Sequence, residues 1–482
     1  MMGQNVLIQI LASGISSLIT FLTISITARL FGPEVLGVLA YLLGLTGLIF
    51  AFSDLGLSRA HVYFTAALKK PSKTLGTFLR LRLSLLIASA ILATIMAFIK
   101  SAEYKGLFSL ILFYVLSTRI AESILITFEA LQLSLPQNLI RLISKLIKLV
   151  AVLVIGLKIS ITSLGYSWTF AIESLSLLCL SFWLLTSNNF GLKKINFFPL
   201  KFDKSLANKY LAYSLPFFFI IPLSYFQDNG IIVILEKLGS TTQVGFYSAV
   251  SGLAGFIKSL FGAVMVFFFP RISLLFSTRD FKSIQRYTDL VVKYLLILFT
   301  PLLLGLFFMR FEVINLILGT QFNPAVPVFS LFLLGMFLLM LTAPYGYVLY
   351  ATKNHRPLIF VNVISLILAI LASIILVPTL GAVGSVLASI IAWSFSGFFF
   401  LRLIKKHLKL TVLPKLFEFM VPAIFILLST SWIINYYQPG PLLKLSFTLI
   451  SLTLYLGALF LLKLATIKDF QYLINLVKIK KV

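Results

Sequence analysis

Fourteen nearly continuous apolar stretches, each about 20 residues long and so able to cross ~30 Å of hydrocarbon as a helix, run along this 482-residue chain. The expected spans are Asn5–Ala28, Val35–Leu57, Leu83–Ile99, Gly106–Ala130, Leu139–Leu157, Ser163–Leu185, Tyr210–Leu235, Val244–Phe269, Tyr287–Met309, Pro324–Tyr350, Leu358–Val377, Ala382–Leu401, Phe417–Asn435 and Leu445–Leu464. With 60% apolar and 11% charged residues, a water-soluble fold could not bury its own apolar surface. In lipid every backbone polar group must be satisfied within the segment, so the expected fold is all-α and integral to the membrane.

Charge sets the expected topology. The odd-numbered gaps between spans hold only Arg29, Lys100, Lys105, Lys158, Lys237, Arg310 and Lys444, while most of the 40 Lys and Arg fall in the even-numbered gaps and the C-terminal tail. Basic loops stay on the cytoplasmic side during insertion, so both termini are expected there, in a multi-pass protein of the cytoplasmic membrane. The net charge of +26 could suit nucleic acid in a soluble protein. Set in short loops between spans, it points instead to the anionic inner leaflet and its membrane lipids. Cys179 lies alone in an apolar span, and a lone apolar thiol is ordinarily buried and inert. His61, His355 and His407 are scattered over expected cytoplasmic loops, which gives no metal site. The N-terminus lacks a basic region and cleavage site, so the first apolar segment is expected to be retained.

The chain repeats itself. Arg29-Leu-Phe-Gly-Pro-Glu-Val-Leu-Gly37 corresponds to Lys237-Leu-Gly-Ser-Thr-Thr-Gln-Val-Gly245, and the stretches around Pro136 and Pro357 match in character. Six spans per repeat enter the membrane in the same sense, so the halves should be related by an axis along the membrane normal. The expected division is a lobe at 1–190, a cytoplasmic linker at 191–209, a second lobe at 210–405, and two extra helices with a basic tail at 406–482. A cleft between two such lobes is a natural substrate route.

A charge within a span costs ~2.5–3.5 kcal/mol, so each needs a reason. Arg119 and Glu122 lie three residues apart on one helix face and can pair; alternatively they line a cavity, with Glu122 accepting a proton. Asp228 follows Pro216 and Pro222 in a helix expected to kink, which suits ion coupling or a bond to a neighbouring helix. Lys258 is central in its span, where it could meet an anionic headgroup or pair with Asp228 or Glu173. Arg29 stands at an outer mouth, and Asp54 reads as a helix-end residue bonded to backbone. Ser13, Ser16, Ser17, Thr20, Thr23 and Thr27 form a stripe of hydroxyls on the first span. No phosphate-binding Gly-Lys-Ser/Thr loop is present, so no nucleotide cofactor is expected.

Ala28–Tyr41 followed by Ser53-Asp-Leu-Gly56, then Val244–Ala249, Phe269-Pro-Arg-Ile-Ser273 and Pro378–Ala388, resemble the polysaccharide biosynthesis flippases, which move O-antigen and exopolysaccharide repeat units. The resemblance covers at least twelve spans. It implies the multidrug/oligosaccharidyl-lipid/polysaccharide exporter fold: about 14 transmembrane helices, as two pseudo-symmetric six-helix lobes in a V shape plus two C-terminal helices. It implies alternating-access transport of a polyprenyl-(pyro)phosphate-linked oligosaccharide, with no catalytic residues and glycan-assembly enzymes as possible partners. Lys258 and Arg119 match the family's cationic cavity residues in character; the residues themselves, apart from the resemblance, add Arg29, Glu173, Ser17 and Thr20 as candidate substrate contacts and Asp228 and Glu122 as candidates for ion coupling. The first span is uncharged before Arg29, unlike the related peptidoglycan lipid flippases. The competing readings are a multidrug or organic-cation antiporter of the same fold, and a membrane polymerase or ligase acting on lipid-linked glycans.

Overall fold

The computed structural model describes residues 2–68, 70–99, 105–131, 133–187, 199–215, 217–351, 356–408 and 416–466. Sixteen α-helices and no strands occur among them. The first six are α1 (Met2–Phe50), α2 (Leu57–Leu68), α3 (Pro71–Ile99), α4 (Lys105–Ala130), α5 (Ser134–Lys158) and α6 (Ser163–Thr186). Next come α7 (Lys204–Ser214), α8 (Phe217–Leu238), α9 (Thr241–Ser277), α10 (Phe281–Phe308) and α11 (Arg310–Ile317). The last five are α12 (Val326–Tyr350), α13 (Arg356–Leu380), α14 (Ala382–Leu408), α15 (Leu416–Tyr437) and α16 (Pro441–Leu461).

The breaks have local causes. Within α1, Gly32 takes φ 78°, a left-handed value that costs glycine little, and Pro33 restarts the helix, so α1 holds the first two expected spans. Thr162, Asp203 and Asp280 cap α6, α7 and α10 by accepting the backbone N–H of Gly165, Leu206 and Ser283. Eleven segments among the described residues are long and apolar enough to span a membrane, and one of them, Leu11–Ser53, carries the Gly32 break. Length and apolarity therefore do not return the expected count of fourteen. α5 coincides with an expected span but carries Arg141, Lys145 and Lys148 and is not among the eleven, and the expected seventh span is divided between α7 and α8. Exposed apolar side chains form ridges on these helices, such as Leu83, Ile87, Ile91 and Ile95 of α3, as a lipid-facing surface requires. The chain is a multi-pass membrane protein.

The helices group into two compact units. The first comprises Met1–Leu260 with Asn362–Ala388 and has a core around Leu57, Phe78, Leu125, Phe128, Leu184 and Tyr210. The second comprises Phe261–Val361 with Ser389–Val482 and is built on Phe268, Leu295, Phe308, Tyr345, Ile404 and Tyr455.

Within the first unit the repeat brings its own corresponding positions together. A Cβ on Gly37 would stand 1.9 Å from the carbonyl oxygen of Thr241, and one on Gly245 would stand 1.8 Å from that of Pro33. Each glycine thus meets the residue four before the other, and α1 crosses α9 with backbones in contact. Close helix approach through small residues is the main packing device available in lipid. On the same helix, Gly44 faces Ile232 and Gly47 faces Asn229 of α8.

Several charges expected in loops are buried in helices. Arg82 is 4% exposed on α3 and pairs with Asp54 at 2.9 Å, so Asp54 serves as an ion-pair partner as well as accepting the Ser58 N–H. His61 is fully buried on α2 and is not in a loop. Its Nδ1 lies 2.9 Å from the Tyr210 hydroxyl, its Nε2 2.8 Å from Thr127 Oγ1, and its ring stacks on Phe78. Burial, reinforced by the Arg82 charge, pulls its pKa down to about 3. His355 and the His407 side chain lie outside the described residues. Cys179 is exposed on α6, contrary to its expected burial, because the outer face of a membrane helix is apolar too.

Two outcomes follow from these contacts. Gly37→Ala or Gly245→Ala should destabilise the purified protein by ~1–3 kcal/mol, read as a lower melting temperature in detergent, whereas Gly14→Ala, with open space around it, should not. A His61 held neutral makes the unfolded state the better proton acceptor between pH ~6.5 and the folded value of about 3. Stability should therefore fall as pH drops through that window and stay flat above it. His61→Gln should remove that part of the pH dependence of melting.

Candidate functional site

Helix α5 is built inside out. Leu139, Ile143, Leu146, Val150, Val154 and Leu157 recur every three or four residues and are exposed. Arg141, Lys145 and Lys148 lie on the opposite face and are partly buried. An amphipathic helix with its apolar face outward belongs in lipid, with its charges turned to the protein interior.

Each of these cations meets a helix of the first unit. Arg141 makes a two-pronged contact with Glu122 of α4, Nη2 to Oε2 at 2.7 Å and Nε to Oε1 at 3.2 Å. Lys148 pairs with Glu173 of α6 at 2.7 Å, both side chains 15% exposed, and its ammonium sits 3.4 Å from the Phe170 ring centre. Lys145 donates to two hydroxyls of α1, Ser16 Oγ at 2.5 Å and Thr20 Oγ1 at 3.0 Å. Arg119, one turn from Glu122 on α4, donates to the Tyr225 hydroxyl of α8 at 2.7 Å and lies over that ring. Four cations meet two carboxylates, leaving two positive charges. Lys145 and Arg119 are held by neutral hydroxyls, which an incoming anion can replace.

The sequence-level candidates are placed as follows. Arg119, Glu122, Glu173 and Thr20 belong to this cluster. The expected Arg119–Glu122 pair is not formed, because the fork of Arg141 matches the carboxylate with two parallel bonds. Glu173 is likewise engaged by Lys148 and not by Lys258. Ser17 is half-buried, and the stripe meets Lys145 through its neighbour Ser16. Arg29 on α1 and Lys258 on α9 are exposed. Asp228 falls within α8, but its side chain lies outside the described residues. The α5 triad escaped the sequence reading, although its spacing of four and three residues inside a span was a signal of the same kind that singled out Lys258.

Glu173→Gln should leave the Lys148 ammonium buried without its counter-charge and cost ~3 kcal/mol of stability in a detergent melt. Replacing Lys148 by Met and Glu173 by Leu together should recover most of the loss. An unchanged melt for Glu173→Gln would show that the pair contributes nothing.

Residues 26–327 match the family described as polysaccharide biosynthesis protein, and residues 237–453 match the lipid II flippase MurJ family. No curated protein sequence matches the chain. Among solved structures, the fold is similar to that of a lipid II flippase MurJ in an inward closed conformation, with TM-score 0.69 and 16% identity over 94% of this chain and 98% of that one. It is also similar to a multidrug resistance MATE family transporter of the MOP superfamily, inward-facing (TM-score 0.61, 12% identity, 82% of this chain and 94% of that one). The outward-facing form of such a transporter gives TM-score 0.59 at 12% identity, over 84% and 95%. At these identities the likeness is one of fold, and the proteins sharing it are transporters, not enzymes. The family match runs through the α1–α9 crossing and every charged residue of the cluster, and the chain belongs to the polysaccharide biosynthesis protein family.

Proposed function

We propose that this protein flips a polyprenyl-(pyro)phosphate-linked oligosaccharide across the cytoplasmic membrane by alternating access, with Lys145 and Arg119 receiving the phosphate. The carrying observation is that, among the described residues, these two cations are held by hydroxyls and not by carboxylates. A phosphate oxygen accepts a stronger, charge-assisted bond from either. The hydroxyls of Ser16 and Thr20, released from Lys145, become partners for sugar hydroxyls. The family match and the likeness to a lipid II flippase support the reading.

In this reading the lobes at 1–190 and 210–405 rock about the substrate, both termini face the cytoplasm, and Lys258 and Arg29 extend the cationic path. An anionic headgroup moving outward is assisted by an inside-negative potential, about 2.3 kcal/mol per charge at 100 mV. Glu122 offers a route to ion coupling. Its carboxylate is occupied by Arg141. Phosphate arriving at Arg141 competes for the same fork and frees Glu122 to take a proton. Asp228 is a second coupling candidate.

The multidrug antiporter fits less well, because a cluster with two surplus positive charges repels an organic cation. Glycan-assembly enzymes are the natural partners of the proposed activity.

In proteoliposomes, Lys145→Ala and Arg119→Ala should each slow headgroup translocation by about tenfold or more, since a hydrogen bond to a charged group contributes ~1.5–3 kcal/mol. Lys145→Arg should retain most of the rate. Wild-type headgroup exposure in both alanine variants would reject the assignment.

A further inference from the structure

A second cationic site lies away from the cluster on α5, at the basic end of α3. The stretch 199–203 crosses α3 as a strap. Lys201 N–H donates to the Ser72 carbonyl at 3.4 Å, Ser72 Oγ donates to the Pro199 carbonyl, and Asp203 N–H donates to Thr77 Oγ1 at 3.1 Å. The crossing depends on Gly76, where a Cβ would stand 2.6–2.7 Å from the Lys201 backbone. Phe202 is covered by the Arg80 guanidinium, 4.7 Å from the ring centre.

Strap and helix enclose an open recess of about 1230 Å³ bordered by Lys70, Lys73, Lys201 and Lys204. Asp203 is the only acid in its wall among the described residues. That carboxylate is already committed: one oxygen pairs with Lys73 and the other accepts the Leu206 N–H as the cap of α7. Lys70, Lys201 and Lys204 therefore converge on the recess without a carboxylate partner among the described residues. Helix α3 begins at Pro71 and is long and apolar enough to span a membrane, so the recess lies at the basic end of a candidate spanning helix.

We propose that this recess is a binding site for a phosphate group, supplied by an anionic lipid of the adjacent leaflet, which fastens the strap to α3. Three lysines with flexible stems suit a phosphodiester, and a recess open at the end of a spanning helix is within reach of a headgroup whose chains stay in the bilayer. The assignment is independent of what the protein transports, and the residues concerned are not those of the transport cluster.

The test uses the full-length protein in nanodiscs, with a short-chain fluorescent phosphatidylglycerol as probe and phosphatidylcholine and glycerol phosphate as competitors. Wild type should bind the probe and release it to unlabelled phosphatidylglycerol but not to phosphatidylcholine. Replacing Lys70, Lys201 and Lys204 by Gln should weaken binding by roughly tenfold or more. The Arg versions at the same positions should retain it. Glycerol phosphate competing as well as the lipid would keep the phosphate site and assign its occupant to a soluble ester. An equal loss in Lys282→Gln/Arg286→Gln, on the exposed first turns of α10, would reduce the effect to general surface charge and overturn the proposal. So would unaltered binding in the triple Gln variant.

Discussion

A charge inside a membrane must find a partner, and that requirement organises the first unit of this protein. Lipid supplies no water to solvate Arg141 or Lys148, and each reaches across to a carboxylate on another helix. Those pairs tie α5 to α4 and to α6. Among the described residues two cations remain that only hydroxyls hold, on Ser16, Thr20 and Tyr225. The pairing that stabilises the bundle thus also leaves a surplus of positive charge within it. A soluble protein could dilute such a surplus with solvent, whereas in the proposed function a translocated anion offsets it.

Packing in the same unit rests on the absence of side chains. Gly37 and Gly245 let α1 and α9 touch backbone to backbone, and Gly44 and Gly47 leave room for the Ile232 and Asn229 side chains of α8. With little hydrophobic driving force between helices in lipid, van der Waals contact at short range has to supply the association energy. The first crossing joins Gly37 and Gly245, the two glycines that the sequence reading sets in correspondence. The polar helix ends use a different chemistry. His61, Tyr210 and Thr127 satisfy one another in a dry cluster, and Arg82 and Asp54 form a pair beside it.

The surplus charge separates two classes of transporter that share this fold. A cation exporter needs carboxylates free to bind its substrate or a proton. In the described part of this cluster both carboxylates are engaged by α5. In the proposed function an anionic headgroup instead meets Lys145 and Arg119. Any coupling through Glu122 is then tied to the substrate, because the same arginine serves the carboxylate and the arriving phosphate.

Much of this was legible in the sequence. Apolar run length fixed an all-helical membrane protein, and Gly32-Pro33 marked the break in α1. Arg119, Glu122, Glu173 and Thr20 stood out because charge or hydroxyls within a span are costly or periodic. The partners were not legible. Helical spacing says that Arg119 and Glu122 share a face, but not that Arg141 arrives from α5 with a fork that outcompetes Arg119. Nor does it say that Arg82 and His61, which resemble loop residues in composition, continue into buried helix. One-dimensional periodicity assigns a side chain to a face of its own helix, and only the packing of helices decides what that face meets.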